Sequence, residues 1–348
     1  MIGAVGTAKG RGMQSGWIAG LGALWLGLGM VVPPAWAETS TLRVTRPVDL
    51  SALPLLVMQH EHMIERVAEQ MGLGAVKVEW VAQGKINPAD ALAAGQADLA
   101  AAEVGPFLLA ADGTVGTPGE VRALAALTER PYVLVARKPG IATIRDFKTG
   151  DHIAVPALKA SGPALMLEMA AAQEWGEDHW DKLDPLLVAR SDEAAMEALQ
   201  SGKGNLDAHF SHSPYADDEL ASPGVHRVMD SFDIAGPHSA AMLAAAKQFH
   251  DANPKLCVAI LSALEQADDL IKQKPGSAAE IYASFAKDQD IALEDLTDMI
   301  GDPDLAYRTA PSGLMRLAEF MSRVGRLKRK PESWKDLFFP EARDLPGS

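Results

Sequence analysis

The sequence predicts an α/β protein of two lobes. Three observations predict it. Short apolar or alternating runs bounded by turn residues take turns with helical patterns. The alternation occurs in two blocks, 38–131 and 132–235, and the chain from 236 onward reads as a return crossing followed by helices. A strand, helix, strand order implies mostly parallel sheets covered by helices on both faces. Strand-like crossings near 128–132 and 235–240 would join the two units around a cleft, the favoured place for a small-molecule site.

In chain order, "TLRVTRPV" at 41–48 and "VKVEWVA" at 76–82 read as strands. Between them, 53–72 carries Leu53, Leu56, Val57, His60, Ile64, Val67, Ala68 and Met71 at three- and four-residue steps, the stripe of an amphipathic helix. Ser51 is its expected N-cap, with Pro54 in the first turn. On such a helix His60 and His62 point about 200° apart, so the conspicuous His60-Glu61-His62 reads as scaffold. "NPADALAAGQ" follows as a short helix and "ADLAAAEV" as a strand. The second block gives strands "PYVLVAR" at 131–137 and "HIAVPA" at 152–157, the helix "GPALMLEMAAAQEWG", then "LDPLLVAR", the helix "SDEAAMEALQSG" and the strand-like "NLDAHFS". From 240 on, "SAAMLAAAKQFHDANP", "KLCVAILSALEQADDLIKQKP" and "SAAEIYASFAKDQ" read as helices, expected to pack mainly on the first lobe.

The N-terminus has the pattern of an export signal. Lys9 and Arg11 precede the apolar run Trp17 to Val32, and "PPAWA" places small residues at Ala35 and Ala37. The expectation is cleavage after Ala37 and a periplasmic protein of 311 of the 348 residues, long enough for two ordinary domains. Without Lys9 and Arg11 there are 30 basic and 46 acidic residues, a net charge of −16. Such a surface repels nucleic acid and anionic lipid, which excludes both as partners. Cys257 is the single cysteine, so no intrachain disulfide forms, and its spacing to Ile260 and Leu261 makes it an inward-facing helix residue. The basic run "RVGRLKRKP" at 323–331 reads as a solvated helix end.

Four blocks of the chain, "ALAAGQADLAAAEVGPFLLAAD", "YVLVARKPGIATIRDFKTGDHIAVPALKASGPALMLEM", "GNLDAHFSHSPYADDEL" and "AKQFHDANPKLCVAILSALEQADDLI", resemble in order and spacing the nitrate/sulfonate/taurine class of ABC-transporter substrate-binding proteins. That class is related to the thiamine-pyrimidine precursor-binding proteins, and the likeness runs from about residue 42 to the closing "ESWKDLFFPEARDLPGS". The resemblance implies a type II periplasmic binding protein that closes two lobes around one small solute and delivers it to a permease driven by an ATPase. It implies a monomer without cofactor, touching the membrane only through the permease. The implied solute is a small polar organic molecule: a sulfonate, a carboxylate or a nitrogen-containing compound.

The resemblance also points to the loops that line the cleft. At the matching positions stand Asp49 and Ser51 in "PVDLSA", Glu103, Val104 and Gly105 in "AEVGPF", Lys159, Ala160 and Ser161 in "LKASGP", and His209, Ser211 and His212 in "HFSHSP". His238 lies near the return crossing with Pro237 and Ser239. The "LKASGP" loop opens a helix, and free N–H groups at a helix N-terminus suit an oxyanion; Ser161 equally reads as the N-cap of its own helix. Glu103 departs from the anion-binding pattern. Its carboxylate meets a cationic or N–H group of the solute, pairs with Lys159, or turns to solvent. Tyr132 and Phe107 are candidate apolar walls.

Other functions leave no local signature. The mature chain has no G-x-S-x-G elbow, H-E-x-x-H helix, phosphate loop or paired-cysteine zinc pattern. A synthase like those among the pyrimidine-precursor relatives, which consume one of their own histidines, is the enzymatic alternative. Metal capture by His60, His62, His209, His212 and His238 is another.

Overall fold

The computed structural model describes residues 38–82, 88–287 and 291–348; the expected export signal lies outside them. Among these residues the strands in chain order are β1 (Thr41–Arg46), β2 (Lys77–Ala82), β3 (Leu99–Glu103), β4 (Val121–Glu129), β5 (Val133–Ala136), β6 (Ile153–Val155), β7 (Leu187–Ala189), β8 (Ala208–Ser211), β9 (His226–Asp230), β10 (Ser239–Ala246) and β11 (Ala306–Tyr307). They form one sheet in the order β11-β4-β10-β3-β1-β2 and a second in the order β7-β6-β8-β5-β9. No described helix is long and apolar enough to cross a membrane.

β1 pairs in parallel with β2 and β3, while β10 lies antiparallel between β3 and β4. In the second sheet β6 pairs in parallel with β7 and β8, while β5 lies antiparallel between β8 and β9. The expectation of mostly parallel strands therefore holds for direction and is corrected for pairing: both sheets are mixed. The chain crosses from the first sheet to the second between β4 and β5 and returns between β9 and β10. Each crossing delivers its strand antiparallel into the middle of the receiving sheet. As a result β1, β3 and β4 end, and β10 begins, at one edge; β6, β7, β8 and β9 end, and β5 begins, at the corresponding edge of the other sheet.

The stretch read as the helix "SAAMLAAAKQFHDANP" is corrected: its first eight residues are β10, all buried, and only Lys247–Ala252 is helical. Alanine favours helix in isolation, but the strand's position between β3 and β4 buries both of its faces, and tertiary context decides. Alanines at 100–102, 123, 125, 126, 240, 241, 244 and 245 keep this sheet thin, so that helices approach closely on either side. One face packs on helices Leu53–His60, Met63–Gln70, Pro254–Gln273 and Pro275–Phe285, with Cys257 fully buried among them. The other packs on helix Val104–Thr114, and that core continues into the second sheet, its helix Gly162–Trp175 and the C-terminal helix Leu314–Arg323.

The amphipathic stripe over 53–72 is two helices, Leu53–His60 and Met63–Gln70, broken at His62, whose φ of 50° is left-handed. Ser51 does not cap them; Asp49 caps a 3-10 turn, Leu50–Ala52, that leads into the first. The helices Pro254–Gln273 and Pro275–Phe285 of the C-terminal region pack on the first sheet, but the region does more than that. It supplies β10 and β11 to the first sheet, and beyond Leu314 it reaches both lobes. Arg316 donates to the Ala235 carbonyl, Arg323 pairs with Glu177 at 2.9 Å and Arg326 pairs with Glu168, whereas Arg329 donates to the Asp112 carbonyl at 2.9 Å. This basic run follows a helix end with Arg323, Lys328, Arg329 and Lys330 exposed, as read, and through its contacts it also serves as a strap.

Met242 is fully buried in β10 at the centre of this arrangement. Met242→Ala is expected to lower the unfolding free energy by about 2–5 kcal/mol, read from the shift in urea midpoint at unchanged slope.

Candidate functional site

The two edges where the strands end carry nearly all of the polar groups that face one another. Asp49 follows β1, Glu103 ends β3, and Arg130 and Tyr132 lie on the β4–β5 crossing. Asp192 opens the helix after β7, and His212 follows β8. Loops at the carboxyl ends of strands have backbone free to approach a ligand, which is why α/β proteins bind there.

Arg130 is the centre of the cluster. It is 6% exposed, its Nη1 stands 3.4 Å from Asp49 Oδ1, and its Nε and Nη1 make no hydrogen bond. Burial drives the Asp49 carboxyl up, but Arg130, His212 and hydrogen bonds from the Ser51 hydroxyl and N–H outweigh it and bring it down to about 2. Burial likewise raises Glu103, and although Arg130 and the Gly162 N–H oppose the shift, Asp192 and Asp49 reinforce it and leave this carboxyl above its ordinary value. The residue as a whole stands at the exposed rim of the crevice, with its carboxyl at the Gly162 N–H among like charge.

On the second lobe, His209 is 0% exposed with both ring nitrogens taken: Nδ1 lies 2.7 Å from Glu219 and Nε2 3.1 Å from Asp192. Burial opposes its protonation, but the two carboxylates prevail and lift it to about 9. This imidazolium in turn holds Asp192 below the usual carboxylate range in spite of burial. Ser211 donates to the other oxygen of Glu219 at 3.0 Å. His212 is different. Burial and Arg130 lower its pKa; Nδ1 faces the Ser213 carbonyl at 3.0 Å, and Nε2 faces Asp192 Oδ2 at 3.6 Å and Asp49 Oδ2 at 3.9 Å. Its ring packs edge-on against Tyr215 and Tyr132.

The lobes meet beside this cluster. A Cβ on Gly105 would lie 2.0 Å from the Ala160 carbonyl oxygen, and one on Gly162 would lie 2.3 Å from the Tyr132 hydroxyl. Both glycines are there because two backbones, or a backbone and a ring, touch. Alongside, a cavity of about 650 Å³ is lined by Val48, Glu193, Met196, Tyr215, Asp218 and Phe285 among others, a volume in the range of small-molecule sites.

The expected site residues thus divide. Asp49, Glu103 and His212 converge, with Ser51 orienting Asp49. Val104 and Gly105 are buried at the lobe contact, and Ala160 meets them from the other side. Ser161 is a helix cap: its hydroxyl accepts from Ala164 N–H and donates to the Ala157 carbonyl. Lys159 is exposed, left-handed at φ 65°, and acts electrostatically on Asp184 instead of pairing with Glu103. His209 and Ser211 have their polar atoms occupied and are struts. His238 is buried, stacked on Tyr132 and bonded to Ser231 at 2.9 Å; burial takes it down to about 4, so it is neutral. Phe107 is core, and Tyr132 is 2% exposed. His60 and His62 lie on the surface, and no group of three or more metal-ligating side chains occurs among the described residues. Arg130 and Asp192 were missed. Their signal is positional: each stands just past a strand, as do Asp49 and His212.

The sequence matches no protein-family model and no curated protein. Solved structures do match. The alkanesulfonate-binding protein SsuA from Xanthomonas axonopodis pv. citri, bound to MOPS, aligns with a TM-score of 0.64 at 17% identity, over 84% of this chain and 96% of that one. The periplasmic aliphatic sulphonate-binding protein SsuA of Escherichia coli gives 0.65 at 18% identity, over 86% and 99%. The ligand-binding component of an ABC-type import system from Staphylococcus aureus, with zinc bound, gives 0.63 at 15% identity, over 87% and 98%.

The chain has the periplasmic binding protein fold. Its two mixed sheets, exchanged strands β5 and β10 and facing strand ends are that architecture, and the fold expected from the sequence stands. Within the fold, the polar cluster belongs to this chain's own residues.

His209 gives the site a measurable pH dependence. Its folded pKa, about 9 against 6.5, is raised, so its contribution is fully present below pH 6.5 and is lost as pH rises through 9. His209→Gln is expected to narrow its stability gap to wild type by roughly 3 kcal/mol between pH 6 and pH 10, measured by urea denaturation at each pH.

Proposed function

We propose that the protein is the periplasmic solute-binding component of an ABC importer. In this reading it is exported with cleavage after Ala37, acts as a monomer, captures a small polar organic solute between its lobes and hands it to a permease and its ATPase. The observation that carries the reading is the convergence of Asp49, Glu103, Arg130, Asp192 and His212 from both lobes at the strand ends. Arg130, ion-paired with Asp49 but with no hydrogen bond at Nε or Nη1, is the group that asks for a partner: a buried guanidinium whose donors are not satisfied is costly until an acceptor arrives.

The mechanism is closure. Residues 38–131 form the first lobe and 132–235 the second; 236–348 completes the first and straps the two. The crossings near 131 and 235 are the hinges, and a solute that touches both lobes favours the closed form by the contacts it makes only there. His209, Ser211 and Glu219 fix Asp192 so that it meets the solute without reorganising. The cluster offers no nucleophile beside a base, and the buried histidines are committed to carboxylates, a backbone carbonyl or a serine, which favours binding over synthase chemistry or metal capture.

The test is a thermal-shift and calorimetric screen of the purified protein against sulfonates, carboxylates, nitrate, amines and pyrimidines. A saturable ligand that raises the melting temperature supports the reading; turnover of a substrate, or no ligand at all, overturns it. Once a ligand is in hand, Gly105→Ala is expected to weaken it at least tenfold, because its Cβ pushes against the Ala160 carbonyl. Small-angle scattering of that variant should show no ligand-induced contraction while wild type contracts.

A further inference from the structure

This inference rests on the solute-binding reading and concerns the charge of the solute. Three observations bear on it. First, the helix Gly162–Trp175 has no amide left in its first turn for an external anion. The Gly162 N–H faces Glu103, Pro163 has none, and the Ala164 and Leu165 N–H groups go to the Ser161 hydroxyl and carbonyl. An acid of the opposite lobe occupies the place where an oxyanion would sit.

Second, the 3.0 Å contact to the Ser213 carbonyl puts an N–H on His212 Nδ1, and in the neutral ring, which burial and Arg130 favour, Nε2 is then an acceptor. That lone pair faces Asp192 Oδ2 at 3.6 Å and Asp49 Oδ2 at 3.9 Å and makes no hydrogen bond. Three acceptors, one from the first lobe and two from the second, converge at separations too long to bond one another and suited to a shared donor. Third, the adjoining cavity adds Glu193, Glu197 and Asp218 to its walls against the single cation Lys287 among its described lining residues.

We propose that the solute carries a cationic nitrogen, as an ammonium, amidinium or protonated ring nitrogen, seated between Asp49 and Asp192 with His212 Nε2 as the third acceptor. An acceptor atom on the same solute takes the unsatisfied donors of Arg130. Closing the lobes brings Asp49 and Asp192 together, and like charges resist that approach. A cation between them converts the resistance into attraction, so the charge of the solute itself favours the closed form.

The test is titration calorimetry on the purified protein with matched probes: 3-aminopropanesulfonate against propanesulfonate, 4-guanidinobutanoate against pentanoate, and benzamidine against benzamide. In at least one pair the cationic member is expected to bind thirtyfold or more tighter. Asp192→Asn, and independently Asp49→Asn, should weaken that member at least tenfold, while Asp192→Glu restores most of the loss. Equal or tighter binding of the members without a cationic nitrogen overturns the inference and leaves the receptor reading standing; it would mean that His212 itself serves as the cation. Saturable zinc binding abolished by Asp192→Asn also overturns it, in favour of a metal. If none of the six probes binds, the ligand returned by the wider screen decides: one without a basic nitrogen sinks the charge inference alone, and a blank screen sinks the receptor reading with it.

Discussion

A guanidinium taken out of water must have anions around it, and much of this molecule's chemistry follows from the burial of Arg130. The residue sits on the crossing between the sheets, so the same few positions that let the chain pass from one lobe to the other also fix the charge at their junction. Asp49 answers it from the end of β1, and Glu103 and Asp192 feel it from β3 and from the far lobe. Tyr132, two residues along, is packed by His238 and bonded through its backbone to Ser231, which holds the start of β5 in place. Asp49, Glu103 and Asp192 together outnumber Arg130 at this junction.

The second lobe manages its own charge separately. His209, Glu219 and Ser211 form a closed set behind Asp192, and only one oxygen of Asp192 is engaged by it. The other oxygen faces the cleft with His212. A carboxylate backed in this way keeps its charge and its direction whatever lies in front of it, a form of preorganisation. The structural neighbours that carry sulfonate in their names share the fold with this chain at 17% and 18% identity, a level at which the scaffold persists while pocket chemistry diverges.

Most of the architecture was legible in the sequence, because strands such as "TLRVTRPV" and helices such as "GPALMLEMAAAQEWG" announce themselves by period and by caps. β10 was not. Eight residues dominated by alanine carry a helical preference and no alternation, and nothing local says that they are inserted between two other strands. A kink between two shorter helices at 53–72 was allowed by the sequence but its place at His62 was not marked, because the apolar stripe continues in register through it. For the site, Asp49, Glu103 and His212 were expected just past strand ends, where the structure brings them together; Ser161 takes the N-cap role that was one of its two readings, and the polar atoms of His209 and Ser211 turn to Asp192 and Glu219, since a sequence does not say which way a hydroxyl or a ring turns. Arg130 was obscured by "TERPY", which looks like a turn between elements. Its significance comes from burial, which only the assembled lobes create.

The strap at the C-terminus braces the two lobes from behind. Arg329 holds the far end of helix Val104–Thr114, Arg326 holds the middle of the helix that begins at Gly162, and Arg323 holds the turn just beyond that helix's end. The near ends of those same two helices are where Gly105 meets Ala160 and Glu103 meets the Gly162 amide. At about 1.5 Å of rise per residue, the strapped points lie several residues, on the order of 10 Å, back from the touching ones. Two rods tied by one segment at the rear and touching at the front form a braced pair, and the touching ends are where the charges are.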